Sequence, residues 1–156
     1  MAARLDSVSK FICENSDWTA TNLQLQKLLY LAQMIYMGRN AGSRLVDANF
    51  EAWDYGPVEP NLYKKVRMFG SRPISDVFFK ARQFKKDDAR RTFLEEFCRD
   101  LLPKRAGELV EITHWDGGAW AKHYIPGARG IQIPDRDIAL EYADRIADGH
   151  LKDEDD

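Results

Sequence analysis

Apolar residues recur at helical spacing along most of the chain, and the clearest stretch follows Thr21. Thr21 and Gln24 form a capping-box pattern, and Gly38 suits the left-handed conformation that ends many helices. Between these positions apolar side chains cover most of the helix circumference. We therefore predict that this helix is buried at the centre of the fold. Its apolar residues are Leu25, Leu28, Leu29, Leu31, Ala32, Met34, Ile35, Tyr36 and Met37.

Further helices are predicted around this central one. Each has an apolar stripe with capping or breaking residues beside it. Their approximate ranges are 6–14, 60–69, 88–101, 106–113, 120–124 and 135–146. Weak alternation over 48–53 and an extended stretch over 130–133 predict a small two- or three-stranded element, whereas 77–84 is ambiguous between helix and strand. The expected fold class is mostly α (α+β), a compact bundle of six or seven helices.

The composition is that of one globular domain. A chain of 156 residues that is 44% hydrophobic and 31% charged is not disordered as a whole. The densest apolar run, 28–37, is too short to span a membrane, and the N-terminus lacks the apolar block of a secretory signal. We therefore expect a cytoplasmic protein without membrane association. Residues 1–146 are predicted to form a single domain and the acidic residues 147–156 a disordered tail. Cys13 and Cys98 are expected to be reduced, packed thiols.

Charge is distributed unevenly along the chain. Between Lys64 and Arg91 there are ten basic and three acidic residues, although the whole chain has a net charge of −2. This basic segment could contact a partner, and the candidate contacts within it are Lys64, Arg67, Lys85 and Lys86. Its interleaved aromatic residues are compatible with nucleic-acid binding, but they occupy core-like positions and no recognition motif accompanies them. Direct binding of nucleic acid is therefore not favoured.

No complete catalytic or metal-binding motif is present. His114 and His123 have no cysteine or carboxylate at zinc-ligand spacing, and no glycine-rich loop opens a helix. His114 is expected to cap a helix end. Two enzymatic alternatives stay open: a Cys13–His114 nucleophile pair, and Asp54 with Glu59 beside His114. Packing of the thiol and support of a helix N-terminus by Glu59 are the simpler interpretations. We therefore expect no enzymatic activity, no cofactor and no metal.

The segments around the second helix and the Gly-Pro turn contain residues suited to packing. Lys27 lies in an otherwise apolar helix and needs water or a carboxylate, for which Glu51 and Asp54 are the candidates. Tyr55 and Trp115 lie beside turns, so we expect them to be exposed and to be candidate partner contacts. The residues expected to form the scaffold are Lys27, Tyr30, Trp53, Gly56, Pro57, Tyr63, His114 and Trp120.

Four ordered motifs resemble the SocA-like, or Panacea-domain, family of bacterial and phage-associated proteins. They are LQKLLY with Lys27, AW-x-x-GPV followed by Tyr63, L-x-x-ITH followed by Trp120, and a final segment from Ile133 to Tyr142. The resemblance extends over about residues 22–142. The chain departs from the family pattern by a longer connection over 122–130 and by its acidic C-terminus.

The resemblance implies a function without catalysis. Members of this family are similar to antitoxins, which are encoded beside a small toxin and neutralise it by direct protein contact. The implied partner is therefore a cognate toxin protein. One type of member acts additionally as a proteolytic adaptor that presents its toxin to a Clp-type protease, which is the alternative function that the resemblance implies for this chain.

Overall fold

Seven α-helices and one small sheet make up the fold. The computed structural model describes residues 1–151. The helices are α1 (Leu5–Asn15), α2 (Asn22–Arg39), α3 (Pro60–Val66), α4 (Ala89–Leu101), α5 (Ala106–Thr113), α6 (Ala119–His123) and α7 (Asp135–Ala147), and the strands are β1 (Glu51–Trp53) and β2 (Gly56–Val58). A 3-10 turn over Arg67–Phe69 continues α3. The mostly α prediction is confirmed.

Helix α2 is the buried centre of the bundle, as predicted. The Thr21 side chain accepts a hydrogen bond from the Gln24 backbone N–H, and the Gln24 side chain accepts one from the Thr21 N–H at 2.9 Å. Every residue from Leu25 to Ile35 is buried. Helices α1, α3, α4, α5 and α7 all pack on α2. A helix apolar on all sides is stable only when it is enclosed, which explains why the others surround it.

Two buried glutamines of α2 hold neighbouring loops in place. The Gln26 side-chain oxygen accepts from the Glu59 backbone N–H at 2.8 Å. The Gln33 side-chain oxygen accepts from the N–H groups of Leu45 and Val46 at 2.9 and 3.1 Å. Because buried backbone donors need partners, these contacts fix the connections before β1 and after β2.

The predicted end of α2 at Gly38 is wrong, because the helix continues to Arg39. A Cβ at Gly38 would collide with the Tyr142 ring of α7. The glycine therefore allows α7 to pack closely on α2 and does not terminate the helix. The chain leaves α2 through Ala41 and Gly42, whose φ angles are 52° and 85°.

The sheet has two strands, within the predicted two or three. Strands β1 and β2 form an antiparallel hairpin in which Ala52 lies opposite Pro57. On the other side of β1, the Ala52 N–H donates to the Ile131 carbonyl at 2.9 Å, but the pairing of this segment is limited to an isolated bridge between Glu51 and Gln132. The predicted extended stretch over 130–133 is therefore a short edge segment beside the hairpin.

The ends of the peripheral helices follow local signals in most cases. Asp88 caps α4 by accepting from the Arg90 N–H, and Gly70 ends the 3-10 turn with a φ of 58°. Helix α7 begins at Asp135, where the predicted range begins, and Pro134 occupies its N-cap. The ambiguous residues 77–84 form no helix or strand; they are turns and irregular chain.

The C-terminal region is described as far as Leu151. After α7, the His150 N–H donates to the Arg145 carbonyl at 2.8 Å. Residues 152–156, on which much of the predicted disordered tail falls, lie outside the described residues, so the tail stays a prediction. No helix within 1–151 has the length and apolar character needed to cross a membrane.

Candidate functional site

The turn between β1 and β2 carries the most exposed of the motif residues. We call this turn, residues 53–56, the hairpin turn. Tyr55 at its tip is 75% exposed, as expected from its position. Gly56 has a φ of 104°, a conformation that residues with a side chain rarely adopt. The turn therefore presents the large aromatic side chain of Tyr55. Glycine is the residue that adopts the next backbone conformation, at position 56, without strain.

Two hydrogen bonds from the α6 region hold the hairpin turn. The Trp120 indole N–H donates to the Trp53 carbonyl at 2.8 Å. The Tyr124 hydroxyl donates to Asp54 Oδ1 at 2.6 Å, and this bond lowers the pKa of the Asp54 carboxyl and raises the pKa of the Tyr124 hydroxyl. A turn fixed in this way loses little conformational entropy when a partner binds it.

Three rings stack beneath the hairpin turn. The His114 and Trp120 rings are nearly parallel, at 5°, with their centroids 4.2 Å apart. The Tyr124 ring also stacks on the Trp120 ring, with their centroids 4.6 Å apart. Trp120 is 9% exposed, which agrees with its predicted scaffold role. His114 occupies the C-cap position of α5, but its Nε2 is buried and has no hydrogen-bond partner in the described part of the chain. The expectation that its ring caps the helix carbonyls is therefore wrong.

The predicted carboxylate partner of Lys27 is also wrong. Lys27 is completely buried, and no carboxylate of residues 1–151 lies within ion-pair distance of its ammonium. Glu51 instead accepts from the Trp53 indole N–H at 2.9 Å, and Asp54 is held by Tyr124. The polar contact of the ammonium is the Pro57 carbonyl, 3.5 Å from Nζ.

Two groups beneath the hairpin turn have lowered pKa values, and burial is the main cause of both. Burial lowers the pKa of the Lys27 ammonium from 10.5 to about 8. Burial also lowers the pKa of His114; the positive charge of Lys27 acts in the same direction, and a backbone hydrogen bond at Tyr55 opposes them. Both shifts arise because a buried cation without a partner is unfavourable.

The two remaining aromatic motif residues of this region support the hairpin from its side. The rings of Trp53 and Tyr63 meet edge to face with their centroids 4.9 Å apart. Both side chains are half-buried, and the Trp53 indole is anchored on Glu51. Their contacts agree with a scaffold role that leaves part of each ring at the surface.

A buried polar network joins the C-terminal helices to α2, and only Tyr30 of it was singled out in the sequence. Glu141 accepts from the Tyr30 hydroxyl at 2.6 Å, from the Ala119 N–H at 2.8 Å and from Arg145 Nε at 2.7 Å. Arg145 also donates to the Ile112 carbonyl at 2.6 Å. Glu141 and Arg145 stand four residues apart on the apolar stripe of α7, and this spacing is the signal that could have revealed them.

Trp115 is half-buried, so its predicted exposure is only partial. The Arg145 guanidinium lies 4.9 Å from the centre of its ring. A Cβ on Gly117 would come within 2.7 Å of the ring, so the glycine makes room for the tryptophan. His150 approaches from the C-terminal side, with ring centroids 4.9 Å apart. Trp115 is thus part of the packing around the buried network.

The four candidate basic contacts are exposed and lie in two separate segments. Lys64 belongs to α3 and Arg67 to the 3-10 turn, directly after the hairpin in the chain. Lys85 and Lys86 lie in the irregular segment before α4. Their role in binding a partner stays a prediction, as does that of Tyr55 and Trp115.

The residues of the two enzymatic alternatives have structural partners of their own. Cys13 is buried in α1, and burial, with smaller effects from Asp76 and Glu14, raises the pKa of its thiol to about 12. Glu59 is buried, and its two carboxylate oxygens accept from the N–H groups of Asn49 and Asn61, each at 2.6 Å. Glu59 thus caps α3, as the simpler interpretation predicted.

Within residues 1–151, no three histidine, cysteine or acidic side chains lie close enough together to hold a metal ion. Cys13 and Cys98 are both buried and free.

Residues 25–121, which include the hairpin turn and the rings of His114 and Trp120, match the family described as antitoxin SocA-like, Panacea domain. The chain belongs to this family. It is also 30% identical over 113 residues to a protein named antitoxin SocA from Caulobacter vibrioides (strain NA1000 / CB15N), and the aligned region covers 67% of this chain and 60% of that relative. No solved structure matches the chain significantly. The Panacea-domain match ends before α7, so the Glu141–Arg145 pair lies outside the matched residues.

Proposed function

We propose that this Panacea-domain protein is an antitoxin that neutralises a cognate protein toxin by direct binding. The observation that carries the proposal is the family match over residues 25–121, supported by the 30% identity to antitoxin SocA. Because the chain covers 60% of that relative, the toxin and the mode of neutralisation are proposals for this chain. We further propose that it acts in the cytoplasm without catalysing a reaction.

The hairpin turn is the surface that best suits the toxin. Tyr55 is a rigid, exposed aromatic side chain, a type that often dominates the binding energy of protein interfaces. The exposed basic residues Lys64 and Arg67 follow it in the chain and would attract an acidic toxin surface. The bonds from Trp120 and Tyr124 hold the turn ready for binding.

Co-expression with the product of the adjacent gene tests the proposal. We expect that product to arrest growth alone, and growth to resume when this chain is expressed with it. Purification of the tagged chain should recover the toxin in a complex. A neighbour that is harmless alone, or that stays toxic in the presence of the chain, would refute the proposal.

A Tyr55→Ala variant tests the proposed surface, and Phe79→Ala is its matched control. Both side chains are strongly exposed aromatics, at 75% and 68%, and Phe79 lies in a different segment. We expect Tyr55→Ala to weaken toxin binding by about tenfold or more, as expected for the loss of a main aromatic contact, and Phe79→Ala to leave it unchanged. Equal effects of the two changes would show that the hairpin turn is not the interface.

Delivery of the toxin to a Clp-type protease is the alternative function, and the co-expression test distinguishes it from masking by binding. Its sequence feature is the acidic C-terminus, residues 147–156. Masking predicts that the toxin persists in cells as a complex with the chain. An adaptor predicts that the toxin disappears in the presence of the chain and persists when the protease is absent. Measuring the toxin half-life in a strain with the protease and in a strain without it decides between masking and delivery.

A further inference from the structure

Lys27 and His114 point toward one another beneath the hairpin turn. A Cβ built on Gly56 would lie 2.8 Å from Lys27 Nζ and 3.0 Å from His114 Nε2, so the two nitrogens are no more than about 6 Å apart. Gly56 therefore lies directly against both nitrogens, and its position leaves no room for a Cβ between them.

Neither nitrogen is adequately paired. Lys27 is completely buried, and within residues 1–151 its Nζ makes one hydrogen bond, to the Pro57 carbonyl at 3.5 Å. The Nε2 of His114 is buried and makes no hydrogen bond of good geometry in the described part of the chain, although the Tyr55 backbone acts on the ring. A buried ammonium is costly unless an opposite charge accompanies it, and a buried ring nitrogen needs a partner. The pair therefore has the features of a site that lacks its ligand.

We propose that Lys27 and His114 form a binding site for a carboxylate, with Gly56 as its floor. One carboxylate oxygen can accept from the Lys27 ammonium while the same or the second oxygen accepts from His114 Nε2–H. A carboxylate supplies the single negative charge that balances the ammonium, and it can enter when the hairpin turn moves Gly56 away from the two nitrogens.

Access to the site requires movement of the hairpin turn. The hairpin has two strands of three residues each, and such short pairs contribute little stability of their own. The contacts that hold the turn are the bonds from Trp120 and Tyr124. A partner that binds Tyr55 would therefore act directly on the segment that covers the two nitrogens.

The carboxylate can come from the toxin or from a small free acid, and the first source rests on the proposed function. His114 reports on both, because an adjacent carboxylate stabilises the imidazolium and raises the pKa of the ring. We would measure the His114 ring titration by NMR in the free chain, in the chain with sodium acetate, and in the toxin complex. Sodium chloride at equal ionic strength is the control for acetate.

We expect the His114 pKa to rise by about 1 unit or more in at least one of the two loaded samples. A rise with acetate alone identifies a free small acid as the ligand, and a rise in the toxin complex alone identifies a carboxylate of the partner. An unchanged His114 titration in both samples overturns the inference. If the toxin binds but the titration does not move, the inference fails while the proposed function stands.

Two variants separate the site from a purely structural role. Lys27→Met removes the ammonium and keeps the length of the side chain, and His114→Phe keeps a ring to stack on Trp120 but removes Nε2. Lys27→Met is expected to abolish the effect of the ligand on the His114 titration. His114→Phe is expected to abolish the effect of acetate or toxin on the thermal midpoint. Lys104→Met, which removes a lysine outside the site, should leave both effects intact. A ligand effect that survives Lys27→Met and His114→Phe would also refute the inference.

Discussion

Replacing Lys27 with methionine is expected to stabilise the free protein, although the change removes a buried residue of a family motif. The pKa of the ammonium falls from 10.5 to about 8 on folding, because burial disfavours its charge. A shift of about 2.5 units corresponds to about 3 kcal/mol of destabilisation at neutral pH. The contact that methionine loses, at 3.5 Å to the Pro57 carbonyl, is weak. We therefore expect a net gain of about 1–3 kcal/mol in the free energy of unfolding.

The pH dependence supplies the test of this reasoning. Between pH 8 and 10.5 the unfolded chain binds more protons at Lys27 than the folded chain does, so the stability of the parent protein should rise with pH across this window. Below pH 8 both states are protonated and the full penalty is present. The advantage of Lys27→Met should therefore be greatest at pH 7 and should shrink as the pH approaches 10.5.

Urea unfolding of the parent and of Lys27→Met at several pH values measures this difference directly. Lys104→Met, which removes the same charge outside the site, should show no comparable change with pH. A variant that is less stable than the parent at pH 7, with a difference that does not vary with pH, would show that the ammonium has a counter-charge and would refute the reasoning.

Three other tests, each by urea unfolding, examine the packing of the fold. Glu141→Gln should cost about 3–5 kcal/mol, because it leaves a buried guanidinium without its charge partner; a cost below about 1 kcal/mol would contradict a buried ion pair. Trp120→Ala should cost about 3–5 kcal/mol and half-buried Trp53→Ala clearly less, and the reverse order would show that the burial is misassigned. Gly38→Ala should destabilise the protein by about 1–3 kcal/mol, because the new Cβ collides with α7. Gly107→Ala, at a position with open space around it, should stabilise the protein by about 0.4–1 kcal/mol. Similar effects of the two changes would argue against the close crossing of α2 and α7.

Local signals in the sequence were sufficient to predict most helices. The capping box at Thr21, the cap at Asp88 and Pro60 at the start of α3 act within one helical turn, so their effect does not depend on the rest of the fold. Gly38 was misinterpreted because its role depends on Tyr142, far away in the chain. A glycine near the end of an apolar run has the same local pattern whether it terminates a helix or admits a neighbouring one.

The candidate site could be predicted in its residues but not in its pairings. The sequence identified Lys27 as a cation in an apolar helix that needs water or a carboxylate. It could not show that the nearby acids had other partners, Glu51 the Trp53 indole and Asp54 the Tyr124 hydroxyl. The Asp54–Tyr124 bond is made by tertiary packing, because its partners are far apart in the chain, whereas the Glu51–Trp53 bond joins two residues of one strand.

Masking by direct binding is the central claim, and titration of the toxin's own activity with the purified chain tests it most directly. The claim predicts that inhibition rises in proportion to the added chain, saturates at a fixed molar ratio, and disappears when the complex is separated. Complete and lasting inactivation of the toxin by an amount of chain far below that ratio would mean that the chain acts catalytically, and would contradict the account.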